Sequence, residues 1–572
     1  MNHYIAVKPA NDAFGRAFNN ISRSISPQQG MMLLACLGFV GLLALMGKTG
    51  GKKGKLAKGY FGGRAEKSAA KRIALKQMRH KKKNAVSVWV GTPTQNPWGK
   101  SPLYLPDAQR GTAVLGAPGT GKTVSVIDQV AISVIEQGFP MILWDFKFPT
   151  QTSRLAAYAV KNGYQLHIFA PGYRESEVCN PLEFLKDDTD SMMARQFAEV
   201  MNQNFKRSGQ TSEDGFFGPA GDQVTEAIMM LARGTDYPDL MMCQALASRT
   251  DLAQQIIKQK DQLNPWILAS FGQLISSAQS EKTVSSILAT ANINFTRFMK
   301  ADVLPAFCGQ TTIPTFLEGK QMLVLGLDRE KRDVLAPLIA AILHLLVNRN
   351  VSRKRSDPLF LIADEVPTLY LPGLHHWLNE NREDGLCTVL GFQNLVQMEK
   401  MYGEDLARAI IGGCATKIIF NPQDQDSAKL FSDYLGSKEV KFKQKSKGRS
   451  GGKASTNISE QIQTKPLFEA SDFLQLPTGR CILLNPHFKR GKAAYIPLLE
   501  SINLSNDYQT ILKWSETRWD KVRGGLQGRS TQIPITGEDW RRVINWLRKC
   551  FRVGRIRARR VNFLQQCCES IW

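Results

Sequence analysis

Residues Gly116-Ala117-Pro118-Gly119-Thr120-Gly121-Lys122-Thr123 follow the apolar run 112–115 (TAVL) and precede a helical pattern over 124–136. No other stretch narrows the choice of fold so far. Its glycines let backbone N–H groups turn inward around phosphate oxygens, and the N-terminus of the following helix adds a favourable dipole. The pattern GxxxxGK[ST] in a strand–loop–helix context predicts an α/β nucleotide-binding domain. Lys122 is expected to reach the β- and γ-phosphates of ATP, and Thr123 to ligate Mg2+.

A second element must complete the metal shell and activate water. Residues 359–363 (LFLIA) read as an apolar strand ending in Asp364-Glu365. Asp364 suits the Mg2+ shell, and Glu365 suits a general base that polarises the attacking water. Alone, such a pair is equally a strand end with solvated acids; the upstream phosphate loop favours the chemical reading. Gln393 closes the run 388–392 and is a candidate for sensing the γ-phosphate or positioning water.

Further apolar runs at 141–144, 165–169, 322–327, 415–420 and 481–484 alternate with helical patterns such as 333–348. This alternation predicts a RecA-like, mostly parallel sheet covered by helices on both faces, with chemistry at the strand tips. From 181 to about 307 strand-like runs vanish and helical stretches dominate (190–204, 221–233, 240–259, 280–298), so an all-α domain is expected inside the sheet domain.

Residues 31–46 carry no charge, and with Gly30 and Gly47 the apolar stretch reaches 18 residues. As a helix it spans about 27 Å, close to a bilayer core of about 30 Å. Thirty residues precede it and lysines follow it, which disfavours a cleaved signal peptide. Between Lys48 and Lys83 there are fourteen Lys/Arg and one acid, Glu66, against Lys8, Arg16 and Arg23 in the first 30 residues. The charge bias places everything after residue 47 on the cytoplasmic side. The basic run suits anionic lipid headgroups, with DNA as the alternative. The formal net charge of +24 points to contact with a polyanion. The ten cysteines include no CxxC pair, which leaves neither a zinc site nor a disulfide framework and fits a reducing compartment.

The resulting organisation is an N-terminal segment (1–29), a transmembrane helix (30–47), a basic juxtamembrane linker (48–83), a nucleotide-binding domain (84–182 and 308–504), an all-α domain (183–307) and a basic C-terminal appendage (505–572). The stretch 438–453 holds seven Lys/Arg and one acid without an apolar period and reads as a mobile loop, able to touch phosphate backbones or only to be solvated. Residues 541–560 hold eight arginines and Lys549 with Trp546, Leu547 and Phe551 interleaved. That pattern suits a basic amphipathic helix for a membrane surface, a nucleic acid or a partner protein.

Several segments beyond the phosphate loop, taken in order, carry a family resemblance. They are Trp144-Asp145-Phe146-Lys147, Phe169-Ala170-Pro171, Asn180-Pro181-Leu182, Ile362-Ala363-Asp364-Glu365-Val366-Pro367, Arg382-Glu383-Asp384-Gly385, Gly391-Phe392-Gln393, Tyr402-Gly403 and the run 415–421. Over roughly residues 30–500 the chain resembles the TraG/TraD-like coupling proteins of type IV secretion and conjugation. The resemblance implies a ring-forming, homo-hexameric motor, held at the bacterial inner membrane, that engages relaxase-bound, single-stranded DNA and delivers it to the secretion channel proteins by ATP hydrolysis. In a ring an arginine from one subunit faces its neighbour's nucleotide, and Arg382 is the candidate. Two departures stand out. One apolar span is found where the family commonly has two, and Phe148 follows Lys147 where a glycine is usual. Two other readings share the motifs: a membrane adaptor that recruits protein cargo without pumping, and a segregation-type DNA translocase.

Overall fold

A computed structural model describes residues 59–91, 102–207, 217–450, 453–502 and 504–553 of the chain. The expected N-terminal segment and transmembrane helix lie outside the described residues. Among the described residues one helix, 329–351, is long and apolar enough to cross a membrane, and it is mostly buried in the protein core.

Nine strands form the main sheet: β3 (Thr112–Leu115), β4 (Met141–Asp145), β5 (Gln165–Phe169), β6 (Gln321–Gly326), β7 (Leu359–Ala363), β8 (Leu386–Phe392), β9 (Thr416–Ile419), β12 (Arg480–Leu484) and β13 (Leu498–Ser501). Their order is β13-β12-β9-β3-β8-β7-β4-β6-β5. The pairs from β9 to β5 are all parallel. β12 and β13 close one edge in antiparallel register. The mostly parallel α/β sheet expected from the sequence is thus present. Its central strands are buried on both faces, which is why they read as unbroken apolar runs rather than alternating ones.

Successive strand residues feed two different cores. Ala113, Leu115, Ile142, Trp144, Leu359 and Leu361 face one side. Val114, Met141, Leu143, Phe360 and Ile362 face the other, with Val126 from the turn Thr123–Ile127 and Ile132 and Leu155 from the helices Asp128–Gln137 and Thr150–Lys161. The first side is covered by the helix Arg332–Val351, which packs on the helix Ser191–Arg207. Between β5 and β6 the described residues form helices, from Ser191–Arg207 to Glu281–Thr296, with no strand among them. The helical pattern 240–259 is interrupted: helices Leu240–Ala247 and Leu252–Lys258 are separated by a turn, with Ser248 ending the first.

Three parts of the chain differ from the sequence reading. Within the stretch read as a basic linker, Arg64–His80 forms a helix whose Glu66, Ala70 and Ala74 are buried. It packs against a small antiparallel pair, β1 (Ser87–Val90) and β2 (Leu103–Pro106). The mobile loop expected at 438–453 is instead part of a separate two-stranded sheet, β10 (Ser437–Ser450) and β11 (Lys453–Pro466). Backbone pairing needs no apolar face, and the second strand places Thr456, Ile458, Ile462 and Thr464 at alternating positions, a pattern outside the window that read as a loop. The C-terminal residues are no free appendage up to Val553. Helices Asn506–Glu516 and Trp519–Arg529 pack on the helix Thr150–Lys161, and Gly537–Val553 packs on Leu240–Ala247. Val543, Leu547 and Phe551 bury one face of that last helix, which satisfies its apolar stripe inside the protein.

Candidate nucleotide site

The loop 116–123 leaves the C-terminal end of β3, an inner strand between β9 and β8. Gly119 and Gly121 adopt φ of 80° and 96°, a region that side-chain-bearing residues rarely enter. The loop is anchored from both sides: Gly116 N–H donates to the carbonyl of Phe392 (3.2 Å) at the end of β8, and Ala117 N–H donates to Asn421 O (2.9 Å) beyond β9. Thr120 folds back onto Ala117 O through its hydroxyl (2.7 Å). A side chain at position 116 has no room, because a Cβ there would stand 2.6 Å from Thr120 Oγ1 and 2.7 Å from Phe420 Cβ. The wide π turn Thr123–Ile127 then leads into the helix Asp128–Gln137.

Because β3, β8 and β7 run parallel, the end of β7 arrives at the same edge. Thr123 Oγ1 donates to Asp364 Oδ2 at 2.5 Å, which brings a hydroxyl and a carboxylate together as two oxygen ligands for a hard cation. Lys122 Nζ lies 3.2 Å from Glu365 Oε2 and 3.6 Å from Asp364 Oδ1. All three side chains are buried. Glu365 has φ 62° and ψ 49°, left-handed backbone that a non-glycine residue holds only when its surroundings impose it. Asp364 Oδ1 helps impose it by accepting the Glu365 N–H at 3.0 Å. Among the described residues no cluster of three or more His, Cys, Asp or Glu forms a separate metal site.

Gln393 also lines this cleft, with Pro118 and Lys147. Its Oε1 accepts from Gln397 Nε2 at 3.1 Å. Arg382 does not join the group. It is exposed in the turn before β8, while the loop follows the other end of the parallel strand β3. Seven strand residues separate the two edges by about 20 Å.

Sequence reading missed Asp128, which supports Gln151 and Arg154 in the lining of the cleft. Asp128 is fully buried one turn beyond the loop, where its Oδ2 accepts from Arg154 Nε and its Oδ1 from Gln151 Nε2, both at 2.8 Å. Burial pushes the Asp128 carboxyl above its usual range, against the pull of Arg154. Asp145, at the end of β4, accepts from Lys147 N–H, Gln151 N–H, Thr152 N–H and the Thr152 hydroxyl. Burial raises its pKa too, and those donors resist the rise. It holds the turn into the helix Thr150–Lys161. Phe148, the departure from the family pattern, is buried edge-on against Tyr173 (4.8 Å) and Trp519 (6.2 Å). A bulky ring at 148 therefore serves as a seat for the C-terminal helices.

Residues 97–489 match the family described as the type IV secretion-system coupling protein DNA-binding domain. The coupling protein TraD of Escherichia coli (strain K12) is 27% identical over 169 residues, 29% of this chain. The match spans only 24% of that relative's length. The bacterial conjugative coupling protein TrwBdeltaN70, in a trigonal form with sulphate, superposes with a TM-score of 0.54 at 17% identity, over 76% of this chain and 92% of that one. Plasmid coupling protein TrwB in complex with ADP and Mg2+ gives a TM-score of 0.52 at 18% identity, over 71% of this chain and 88% of that one. At such identities the structural likeness is one of fold.

Proposed function

Because the chain belongs to the type IV secretion-system coupling proteins, we propose that it is an ATP-hydrolysing motor that couples relaxase-bound DNA to the secretion channel. The observation that carries this reading is the meeting of Lys122, Thr123, Asp364 and Glu365 at the loop after β3. The loop residues Gly116, Ala117, Pro118, Gly119, Thr120 and Gly121 cradle the phosphates through their backbone, and Lys122 neutralises the β- and γ-oxygens. Thr123 and Asp364 would hold Mg2+, whose charge offsets that of the phosphates when bound. Glu365 takes a proton from the attacking water, and Gln393 positions that water. The pairing of Lys122 with Glu365 aims the carboxylate at the loop.

Further parts of the proposal rest on the family and on charge. The helical segment 183–307 serves as an inserted domain, 30–47 as the anchor in the inner membrane, and the assembly is a homo-hexamer in which Arg382 acts on the neighbouring subunit's nucleotide. That arrangement accounts for an exposed Arg382 far from its own loop. The net charge of +24 supplies a sequence-independent grip on DNA phosphates. Transfer of a plasmid from cells carrying Glu365→Gln in place of the native protein tests the reading. Transfer should fall at least about a hundredfold, as expected when a general base is removed. Transfer at the native frequency would overturn it.

A further inference from the structure

The residues after Glu365 tie it to the helical segment. Thr368 N–H and the Thr368 hydroxyl both donate to the Glu365 carbonyl, at 3.0 and 2.7 Å. Trp144 Nε1 donates to that same hydroxyl at 3.1 Å, so the turn after Glu365 is fixed to the end of β4. Two residues on, Tyr370 meets Asn204 of the helix Ser191–Arg207. Tyr370 N–H donates to Asn204 Oδ1 at 2.8 Å, and Asn204 Nδ2 donates back to Tyr370 O at 2.9 Å. One buried amide thus pairs both backbone groups of a single residue, as a neighbouring strand would. Asn204 Nδ2 also reaches its own helix at Val200 O, 2.8 Å away. Arg207, one turn later, lays its guanidinium 3.9 Å over the Tyr370 ring and donates to Met401 O at 2.6 Å. From below, the Tyr402 hydroxyl donates to Leu369 O and accepts from Leu371 N–H.

We propose that Asn204, with Arg207, is a positioning residue that clamps the segment after Glu365 to the helix Ser191–Arg207, so that nucleotide state at the loop and the conformation of the helical segment are one coupled equilibrium. The inference rests on the nucleotide-site reading above. Only four residues lie between Glu365 and Tyr370, and two internal hydrogen bonds remove the slack. Glu365 holds a left-handed backbone that its surroundings must maintain. A shift of Glu365 toward a γ-phosphate therefore moves Tyr370 or breaks its pairing with Asn204, and both alternatives reach the helix. The clamp works in reverse by the same thermodynamics: what the helical segment binds sets where Glu365 stands.

Amide hydrogen exchange of the full-length protein, with and without a non-hydrolysable ATP analogue and Mg2+, tests this. In the native protein the analogue should slow exchange both in 366–371 and in Ser191–Arg207, with a coupling of about tenfold, in the range of two-site links. In Asn204→Ala the response should persist in 366–371 and vanish from the helix. Arg207 is exposed, so Arg207→Gln keeps the fold and should weaken the helix response if Asn204→Ala proves unfolded. A simple packing role would alter exchange of the ligand-free protein without separating the two responses. The link is overturned if the helix responds equally in a folded variant, or if it stays silent in the native protein while 366–371 responds. Equilibrium dialysis of the analogue separates the two failures. Absence of binding overturns the site reading and this link together, whereas binding without a coupled response overturns the link alone.

Discussion

Gly391→Ala probes the site without replacing any residue assigned a chemical role. Gly391 lies on β8 beside the end of β7, and a Cβ built there would stand 2.4 Å from Asp364 Oδ1, 2.8 Å from Ile127 Cδ1 and 3.1 Å from Asp364 Cα. The Ile127 methyl can rotate away, but Asp364 follows directly on Ala363, whose backbone is paired in the sheet with Leu390. Ordinary contact requires the carboxylate to retreat by about 1 Å, which stretches its 2.5 Å pairing with Thr123 and its hold on the Glu365 N–H. A displacement of that size in a positioned group costs about a hundredfold in rate. Overpacking of a filled interior adds about 1–3 kcal/mol of destabilisation. Steady-state ATP turnover over a Mg2+ titration should therefore show a rate about two orders of magnitude down and a Mg2+ requirement moved upward. Gly412→Ala is the control: nothing lies within 4 Å of its would-be Cβ, so turnover should stay native. A Gly391→Ala protein with native turnover and native Mg2+ dependence would refute the placement of Asp364.

Three other outcomes follow from the same geometry. Glu365→Gln should bind nucleotide while losing about 10²–10⁴-fold in turnover; a fluorescent nucleotide and a phosphate-release assay read the two separately, and undiminished release would discard Glu365 as the base. Asp128→Ala should cost about 3–5 kcal/mol in denaturant unfolding by leaving the Arg154 guanidinium without its buried partner, and Asp128→Ala with Arg154→Leu should recover part of that loss. His344 is buried beside Trp377, and burial pushes its pKa down to about 4. The unfolded chain, with an ordinary histidine near 6.5, binds more protons in between, so stability falls as pH drops from about 6.5 to about 4, by at most about 3 kcal/mol. Burial pushes Asp222 and Asp239 up to about 6, and these act with the opposite sign, stabilising the folded state toward acid. The measurement is therefore the difference in melting temperature between the native protein and His344→Gln across that window, and a flat difference would refute the assignment.

What could be read from the sequence is what short-range physics dictates. Apolar runs such as 141–144 and 359–363 announced buried parallel strands because both of their faces are covered. A parallel sheet gathers strand ends at one edge, so the loop after β3 and the acids after β7 were bound to meet. The long-range pairings left no local trace. Asp128 and Arg154 are 26 residues apart, and neither sits in a recognisable pattern. Phe148 read only as a departure from the family, since its neighbour Trp519 lies far along the chain. The ribbon β10–β11 escaped because a basic, glycine-containing strand pairs through its backbone. Arginine density in 541–560 advertised an amphipathic helix, while the surface that takes its apolar side became visible only with the helix Leu240–Ala247 in place.

The most direct test of the motor reading is ATP turnover by the full-length protein with and without single-stranded DNA, at several salt concentrations, in the native form and in Lys122→Ala and Glu365→Gln. The account predicts turnover that rises with DNA, loses that rise steeply as salt increases, and disappears in both variants. Nucleotide binding with turnover indifferent to DNA at every salt concentration would contradict it and favour an adaptor that recruits cargo without pumping.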